Sequence, residues 1–125
     1  MNATCSPIPP TSPANAEHYF WGDGCDGWRL LNQPDLSVIQ ERVPPGKGEA
    51  KHFHSKARQY FFILNGAATL EFDDSSITFG KGEGVHVMPG VHHRFVNAGP
   101  ETVEFLVISA PTTQGDRTNV PTGVR

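Results

Sequence analysis

The chain is short of cysteine, of excess charge and of long apolar runs. Its 125 residues include only two cysteines, Cys5 and Cys25, too few for a zinc ribbon or a disulfide scaffold, so both are expected to be free thiols. Ten basic and 13 acidic residues give a net charge of −3 with the signs interspersed. This pattern lacks the basic stripe that nucleic acids and anionic membrane surfaces require, and a small molecule is the expected partner.

The first sixteen residues carry four prolines, no charged side chain and no apolar segment of the kind found in secretory signals. No later run is long enough to cross a bilayer. We therefore expect a cytoplasmic protein with a proline-rich arm at residues 1–16, one domain at residues 17–112 and a C-terminal tail at residues 113–125.

Glycine and proline are abundant, at 13 and 11 residues, which favours a turn-rich all-β chain. Short runs rich in branched and aromatic residues, separated by turn residues, predict strands. They cover residues 36–43, 59–72 (two strands around a turn at Asn65 and Gly66), 76–79, 85–88, 92–97 and 102–109. Six to eight strands at this spacing indicate a sandwich or barrel.

A short helix is the alternative for residues 55–64, where Ser55 could cap it. Five bulky apolar residues in succession, from Tyr60 to Leu64, would cover both faces of such a helix, and Gly66 would end it early. The pattern therefore favours a strand.

Two histidines one residue apart, His52 and His54, raise the question of a metal site. In an extended chain their side chains lie on one face and Phe53 lies on the other. Imidazole nitrogens suit divalent iron, manganese, nickel, zinc or copper. With six histidines in the chain such a pair can also arise by chance, so the pair alone is weak evidence.

The residues around this pair form two blocks with regular spacing. The first comprises Gly46, His52, His54, Gln59 and Gly66, separated by five, one, four and six residues. The second runs from Gly82 through the segment PGVHHRFVN and comprises Gly90, His93 and Asn97. These blocks, with residues 67–81 between them, resemble the paired motifs of the cupin superfamily.

The resemblance covers residues 36–110 and implies a single-domain, all-β fold of the cupin type, a double-stranded β-helix or jelly-roll barrel. It implies that His52, His54 and His93 bind one divalent transition metal ion, with Gln59 in the fourth ligand position in place of a glutamate. Gln59 offers a neutral amide oxygen, which lowers the affinity for metal and removes a carboxylate that could act as a base.

Three neutral imidazoles resemble the sites of certain cupin dioxygenases, so the resemblance implies an oxygen-dependent enzyme acting on a small chelating organic acid or enol. Two alternatives remain. One is a non-catalytic cupin that binds a small ligand, including a cupin that has lost its metal. The other is a metal-dependent isomerase or lyase acting on a sugar or organic acid. The motif shows no base beside its histidines, which makes this second alternative less favoured.

Strand alternation also predicts the pocket lining. Phe61 and Ile63 share the face of Gln59, and Phe95 shares the face of His93, which predicts a mostly apolar cavity with a few polar groups. The same aromatic side chains can instead simply fill the barrel.

Three polar residues have two possible orientations. If the face of residues 36–43 that carries Gln40 and Arg42 points inward, Arg42 can bind a substrate carboxylate; if it points outward, Arg42 is a solvated arginine. His86 is a further pocket candidate, with a hydrogen-bonded strand histidine as the alternative. Alternation points His92 away from His93.

Tyr60, Phe62 and Leu64 form an apolar stripe on the opposite face of their strand, which a monomer would expose. The aromatic run at residues 18–31 is expected to add a strand or a cover over the barrel. Both features favour a homodimer.

Overall fold

The computed structural model describes residues 7–121, and within this range the chain forms eleven strands. The strands are β1 (Glu17–Trp21), β2 (Cys25–Asn32), β3 (Ser37–Val43), β4 (His52–His54), β5 (Arg58–Asn65), β6 (Ala67–Glu71), β7 (Ser76–Gly80), β8 (Gly84–Val87), β9 (Arg94–Val96), β10 (Val103–Ala110) and β11 (Arg117–Asn119). The described part of the chain contains no α-helix, and so no helix that could cross a membrane.

The strands form three antiparallel sheets that enclose one core. The largest has the order β1-β2-β3-β10-β5-β8, the second has the order β7-β6-β9, and β11 pairs with β4. This architecture confirms the predicted all-β barrel. The expected six to eight strands were too few, because residues 18–31 contribute to two strands, and two three-residue strands, β4 and β11, went unrecognised.

Residues 58–65 form β5, so the helical alternative for residues 55–64 was wrong. Gln59, Phe61 and Ile63 are buried, while Tyr60 is 40% exposed and Phe62 and Leu64 are half-buried. This period of two follows the predicted alternation. It fixes which side chains of β5 face the barrel interior.

The turn between β5 and β6 depends on Gly66. Its φ is +88°, and a Cβ atom at this position would lie 2.7 Å from the carbonyl oxygen of Thr102. Only glycine avoids both the left-handed strain and this contact. The predicted turn at Asn65 and Gly66 therefore has a specific steric cause.

Three phenylalanines stack through the centre of the barrel. The rings of Phe95 and Phe105 are 4.0 Å apart between centroids, and Phe61 stacks on Phe95 at 5.7 Å. Each of the three is at most 3% exposed. Burying a phenylalanine stabilises the fold by roughly 1.5–3 kcal/mol, so this stack is a main source of stability.

Both ends of the described chain pack against the barrel. In the predicted arm, the Thr11 hydroxyl donates a hydrogen bond of 3.1 Å to the carbonyl oxygen of Leu30. The boundary drawn at residue 112 cuts off β11, which pairs with β4. Cys25 is a buried free thiol, whereas Cys5 lies outside the described residues.

Candidate metal centre and cavity

A pair of backbone hydrogen bonds brings the histidines of the two motifs together. The amide of His52 donates to the carbonyl oxygen of His93 at 3.0 Å, and the amide of His93 donates to that of His52 at 2.9 Å. Residues that pair in this way project their side chains from the same face. Since β4 places His54 on the same face as His52, all three imidazoles meet inside the barrel.

Each of the three imidazoles uses Nδ1 to donate a hydrogen bond to a main-chain carbonyl oxygen. The acceptors are Ala50 for His52 at 2.8 Å, Asp116 for His54 at 2.9 Å and Val91 for His93 at 2.9 Å. A carbonyl oxygen can only accept, so the proton sits on Nδ1 and the lone pair on Nε2. This is the tautomer required of a histidine that binds metal through Nε2.

One ring nitrogen from each of His52, His54 and His93 lies within 4.8 Å of those of the other two. Because the Nδ1 atoms are engaged, the Nε2 atoms are the available donors. Burial lowers the pKa of His52 to about 3 and that of His93 to about 4, and it also lowers the pKa of His54. The imidazoles are therefore neutral at pH 7, and the group can hold a metal ion.

Gln59 lies beside this group, 7% exposed, at the start of β5. Its Nε2 donates a hydrogen bond of 3.2 Å to the hydroxyl of Ser109. Two buried polar atoms among the described residues lack a hydrogen-bond partner, and these are Gln59 Oε1 and His93 Nε2. Buried polar atoms without a partner are costly. A cation bound by both atoms would satisfy them, so the donor set fits a metal ion.

A cavity of about 490 Å³ opens next to the histidines, within the range of small-molecule sites. Its wall comes mainly from β1, β2, β3, β5, β10 and the segment after β10. The lining residues are Glu17, Tyr19, Trp21, Arg29, Asn32, Ser37, Ile39, Glu41, Glu49, His52, His54, Gln59, Phe61, Val107, Ser109, Thr112, Thr113, Gln114 and Arg117. Most are polar, so the prediction of a mostly apolar cavity was wrong.

A tyrosine of β1 and a glutamate of β3, which lie on either side of β2 in the large sheet, form a hydrogen-bonded pair inside the cavity. The Tyr19 hydroxyl donates to Glu41 Oε2 at 2.9 Å, and the guanidinium of Arg29 lies 4.4 Å from the centroid of the Tyr19 ring. Burial raises the pKa of Glu41 to about 7, although the Tyr19 hydrogen bond and the Arg117 and Arg29 charges act in the opposite direction. Glu41 can therefore exchange a proton near neutral pH.

Glu49 is a second carboxylate of the cavity. Its Oε2 accepts a hydrogen bond of 3.0 Å from the amide of Phe95 and lies 3.9 Å from Nε2 of His52. Burial raises the pKa of Glu49 to about 8, with the Glu41 charge acting in the same direction. The expectation that no base stands beside the motif histidines was therefore wrong.

The segment after β10 completes the site. Asp116 accepts hydrogen bonds from the amides of residues 55–57, the shortest being 2.9 Å from Ala57, and its carbonyl oxygen accepts from His54. In β11, Arg117 pairs in register with His54, and its side chain lines the cavity. Sequence reasoning missed both residues, because nothing in the local sequence places the segment beside β4.

Of the predicted pocket residues, Phe61 lines the cavity, but Ile63 and Phe95 lie in the core, at most 1% exposed. The reason is the direction of β5, which runs from the cavity at Gln59 into the core at Ile63. Phe95 is covered by the stack with Phe61 and Phe105. Ile63 and Phe95 therefore fill the interior of the barrel and do not line the pocket.

Gln40, Arg42 and His86 do not line the cavity. Gln40 and Arg42 lie on the outer face of β3, where Nε and Nη2 of Arg42 contact Oδ2 of Asp26 at 2.9 and 2.8 Å. His86 is exposed on β8 and accepts a hydrogen bond of 3.3 Å from Nε of Arg58. The alternation of β3 explains this placement, since it turns Glu41 inward and its two neighbours outward.

His92 points away from the group formed by His52, His54 and His93. Its ring stacks on Phe53 at 4.9 Å, and its Nδ1 lies 3.1 Å from Oδ2 of Asp73. The two adjacent histidines therefore differ completely in environment, with His93 buried in the site and His92 on the outside of the barrel.

The sequence profile of the cupin domain matches residues 39–109, which is more than half of the chain. The chain belongs to the cupin family. This assignment confirms the resemblance carried by the two motif blocks. An uncharacterised protein of Methanocaldococcus jannaschii is 24% identical over 84 residues, which is 67% of each chain.

Solved structures of other cupins share the fold. A sugar phosphate isomerase of the cupin superfamily from Silicibacter pomeroyi superimposes with a TM-score of 0.72 at 22% identity, over 83% of this chain and 76% of that one. The polyketide cyclase RemF from Streptomyces resistomycificus gives a TM-score of 0.77 at 19% identity, over 93% and 87%. At these identities the likeness describes the fold alone.

Proposed function

We propose that this cupin is a mononuclear metal-dependent enzyme that transfers a proton on a small polar organic acid or enol. The observation that carries the proposal is the presence, in one cavity, of three imidazoles with free Nε2 atoms and the Tyr19–Glu41 pair. A bound cation that polarises a substrate oxygen, together with a base that takes the proton, is one way in which isomerases, cyclases and lyases work. The names of two structural neighbours, an isomerase and a cyclase, agree with this class.

His52, His54, His93 and Gln59 Oε1 would hold the ion, which would be divalent iron, manganese, nickel, zinc or copper. When bound, such an ion supplies Lewis acidity that polarises a substrate oxygen. The four donors carry no formal charge, so the ion keeps its full positive charge for the substrate. Glu49 is not a member of the group of mutually close donor atoms.

Glu41 is the proposed proton acceptor. Its carboxylate lies in the cavity wall and accepts one hydrogen bond, from the Tyr19 hydroxyl at 2.9 Å. A carboxylate with a second free oxygen can take a proton from a bound substrate, and Tyr19 holds it in place. Trp21, Phe61 and Val107 supply the apolar part of the wall, which reduces the access of water.

The experiment is solvent-deuterium exchange. Protein prepared without a histidine tag and loaded with each metal is incubated in D2O with a panel of 2-oxo acids and 1,3-diketones, and NMR follows the C–H signal next to the carbonyl. We expect metal-dependent exchange that Glu41→Gln abolishes while the metal content stays unchanged. Exchange no faster than in buffer for every metal and compound would contradict the proposal.

An oxygen-dependent, dioxygenase-like activity is the second candidate. The observation that favours it is the neutral donor set, because an anionic substrate that chelates the metal would supply the charge that Gln59 omits. Oxygen uptake by the iron-loaded protein with the same panel separates this candidate from proton transfer. Stoichiometric metal with neither exchange nor uptake would favour a ligand-binding role.

We also propose a homodimer formed through the outer face of the large sheet. Apolar side chains that share this face lie on three neighbouring strands, β3, β10 and β5, and they are Val38, Leu106, Ile108, Tyr60 and Phe62. An apolar patch of this kind marks an interaction surface. Light scattering should give twice the chain mass of 13.6 kDa. Tyr60→Glu should lower the measured mass to that of one chain. The control Ile77→Glu, on β7, should leave the measured mass unchanged.

A cytoplasmic location stays a prediction, which fractionation of the source cells would test.

A further inference from the structure

Arg117 has a position in the cavity that the proposed function leaves without a role. It faces His54 across the β4–β11 pair, so both side chains project from the same side, and it lines the cavity. We propose that Arg117 binds a carboxylate group of the substrate beside the metal centre. This inference rests on the proposed function only in placing the substrate in this cavity.

The fork of the Arg117 guanidinium is available for a ligand. Its Nε donates a hydrogen bond of 3.0 Å to Oδ1 of Asn119, while Nη1 and Nη2 donate none within residues 7–121. No carboxylate oxygen of the described chain lies within 4.0 Å of its nitrogen atoms. The two terminal nitrogens match the spacing of two carboxylate oxygens, which makes bidentate binding possible.

Arg29, the other arginine of the cavity, already has partners. Its guanidinium lies over the Tyr19 ring at 4.4 Å, and its Nε is 3.7 Å from Oε1 of Glu17. A ligand would have to compete with both contacts. Arg117 has neither kind of contact, since its charge acts on Glu41 and Glu49 only from beyond 4.0 Å, so it is the better anion-binding group.

The strand that carries Arg117 is held firmly. The carboxylate of the preceding residue, Asp116, accepts hydrogen bonds from the amides of residues 55–57, and the amide of Val120 donates to the carbonyl oxygen of Lys51 at 2.9 Å. These contacts lie on both sides of Arg117 in sequence. The backbone at this position is therefore preorganised, which lowers the entropic cost of binding a ligand there.

The surrounding charges favour a carboxylate over a phosphate. Glu17, Glu41 and Glu49 line the same cavity. Those of these groups that are ionised repel a phosphate with nearly two negative charges more strongly than a carboxylate with one, whereas Glu41 or Glu49 in its protonated form repels neither. A small organic acid is therefore the substrate class that fits.

The test measures the binding of malonate and pyruvate, with the uncharged malonamide and pyruvamide as matched ligands and inorganic phosphate as a third probe. Isothermal calorimetry and NMR titrations at pH 7.5 use both zinc-loaded and metal-free protein. The metal-free series decides the role of Arg117 even if the metal centre or the proton transfer proves wrong. The variants are Arg117→Gln, Arg117→Lys and, as a control outside the cavity, Arg58→Gln.

We expect the acids to bind better than the amides, and Arg117→Gln to weaken acid binding by about tenfold or more in the metal-free protein, because a charge-assisted bidentate contact is lost. Arg117→Lys should give a smaller loss, and Arg58→Gln none. Since the lysine variant keeps the charge, it tests the proposal even if the glutamine variant does not fold.

Three results would overturn the inference. These are unchanged acid binding in both Arg117 variants, amide binding as tight as acid binding, and no millimolar acid binding by the wild-type protein. Tighter binding of phosphate than of either acid would reject the assignment to a carboxylate.

Discussion

The carbonyl oxygen of Asp116 accepts a hydrogen bond of 2.9 Å from Nδ1 of His54, although the two residues are 62 positions apart in sequence. The residue just before the last strand thus sets the tautomer of a histidine in the first motif. Hydrogen bonds of this kind orient the ring and keep Nε2 free for a metal. The segment after β10 therefore contributes to the site by orienting the imidazole of His54.

Asp116→Ala should weaken both the fold and the metal centre. The substitution removes the acceptor of the amides of residues 55–57 and loosens the segment that holds His54. We expect the free energy of unfolding to fall by about 1–3 kcal/mol and metal affinity to fall by about tenfold. Urea unfolding and a chelator competition measure the two effects. Asp74→Ala, on an exposed turn, should change neither.

Gln59→Glu should have opposite effects on the metal-loaded and metal-free protein. A carboxylate in place of the amide adds a negative charge to the donor set, so divalent metal should bind at least about tenfold more tightly. Without metal, the new charge is buried and should lower the stability by about 1–3 kcal/mol. Equal or weaker metal affinity would mean that residue 59 does not reach the ion. Metal titrations and thermal unfolding with and without metal measure both effects.

Stability should depend on pH through Glu41. Burial raises the pKa of this carboxyl from 4.5 to about 7, so the folded state binds its proton more tightly than the unfolded state does. Its contribution to stability is fully present below pH 4.5 and is lost as the pH rises through 7.

The Glu41→Gln variant isolates this contribution. Relative to the variant, the wild-type protein should lose on the order of 2 kcal/mol between pH 4.5 and pH 7.5. Urea unfolding of both proteins at several pH values gives this difference. A stability difference between the two that is independent of pH would show that Glu41 titrates near its ordinary value.

Gly66→Ala should destabilise the barrel more than Gly82→Ala does. Both glycines have positive φ, at +88° and +81°, so both substitutions carry the left-handed strain of about 1–2 kcal/mol. Only at Gly66 would the new Cβ also meet the carbonyl oxygen of Thr102, at 2.7 Å, while nothing lies within 4 Å at Gly82. Equal losses of unfolding free energy in the two variants would contradict this steric account.

The sequence was sufficient to predict the group of three histidines that can hold a metal ion and much of the sheet. The resemblance of the two motif blocks to the cupin motifs pointed to His52, His54 and His93, and the period of two in residues 59–64 identified the inward face of β5. The face of β5 is a local feature, since it depends only on alternation within one strand, whereas the grouping of His93 with His52 and His54 rested on the family resemblance.

The acid–base and charged groups of the cavity could not be predicted in the same way. Arg117 reaches the cavity only because β11 pairs with β4, which is distant in sequence, and no short motif encodes that pairing. Tyr19 and Arg29 reach it because β1 and β2 extend the large sheet beside β3, and no motif in their own sequence marks them as cavity residues. The inward orientation of Glu41, by contrast, could have been predicted from the sequence. Alternation places it opposite Gln40 and Arg42, so the outward orientation of those two implied an inward Glu41.

Metal analysis of adjacent-histidine variants tests the proposed centre most directly. His93 lies inside the site and His92 outside it, so His93→Ala and His92→Ala form a matched pair. Mass spectrometry of protein purified without a histidine tag should find about one divalent ion per chain in the wild type and in His92→Ala, and almost none in folded His93→Ala. Equal metal content in the two variants, or no metal affinity in the wild type, would contradict the three-histidine centre.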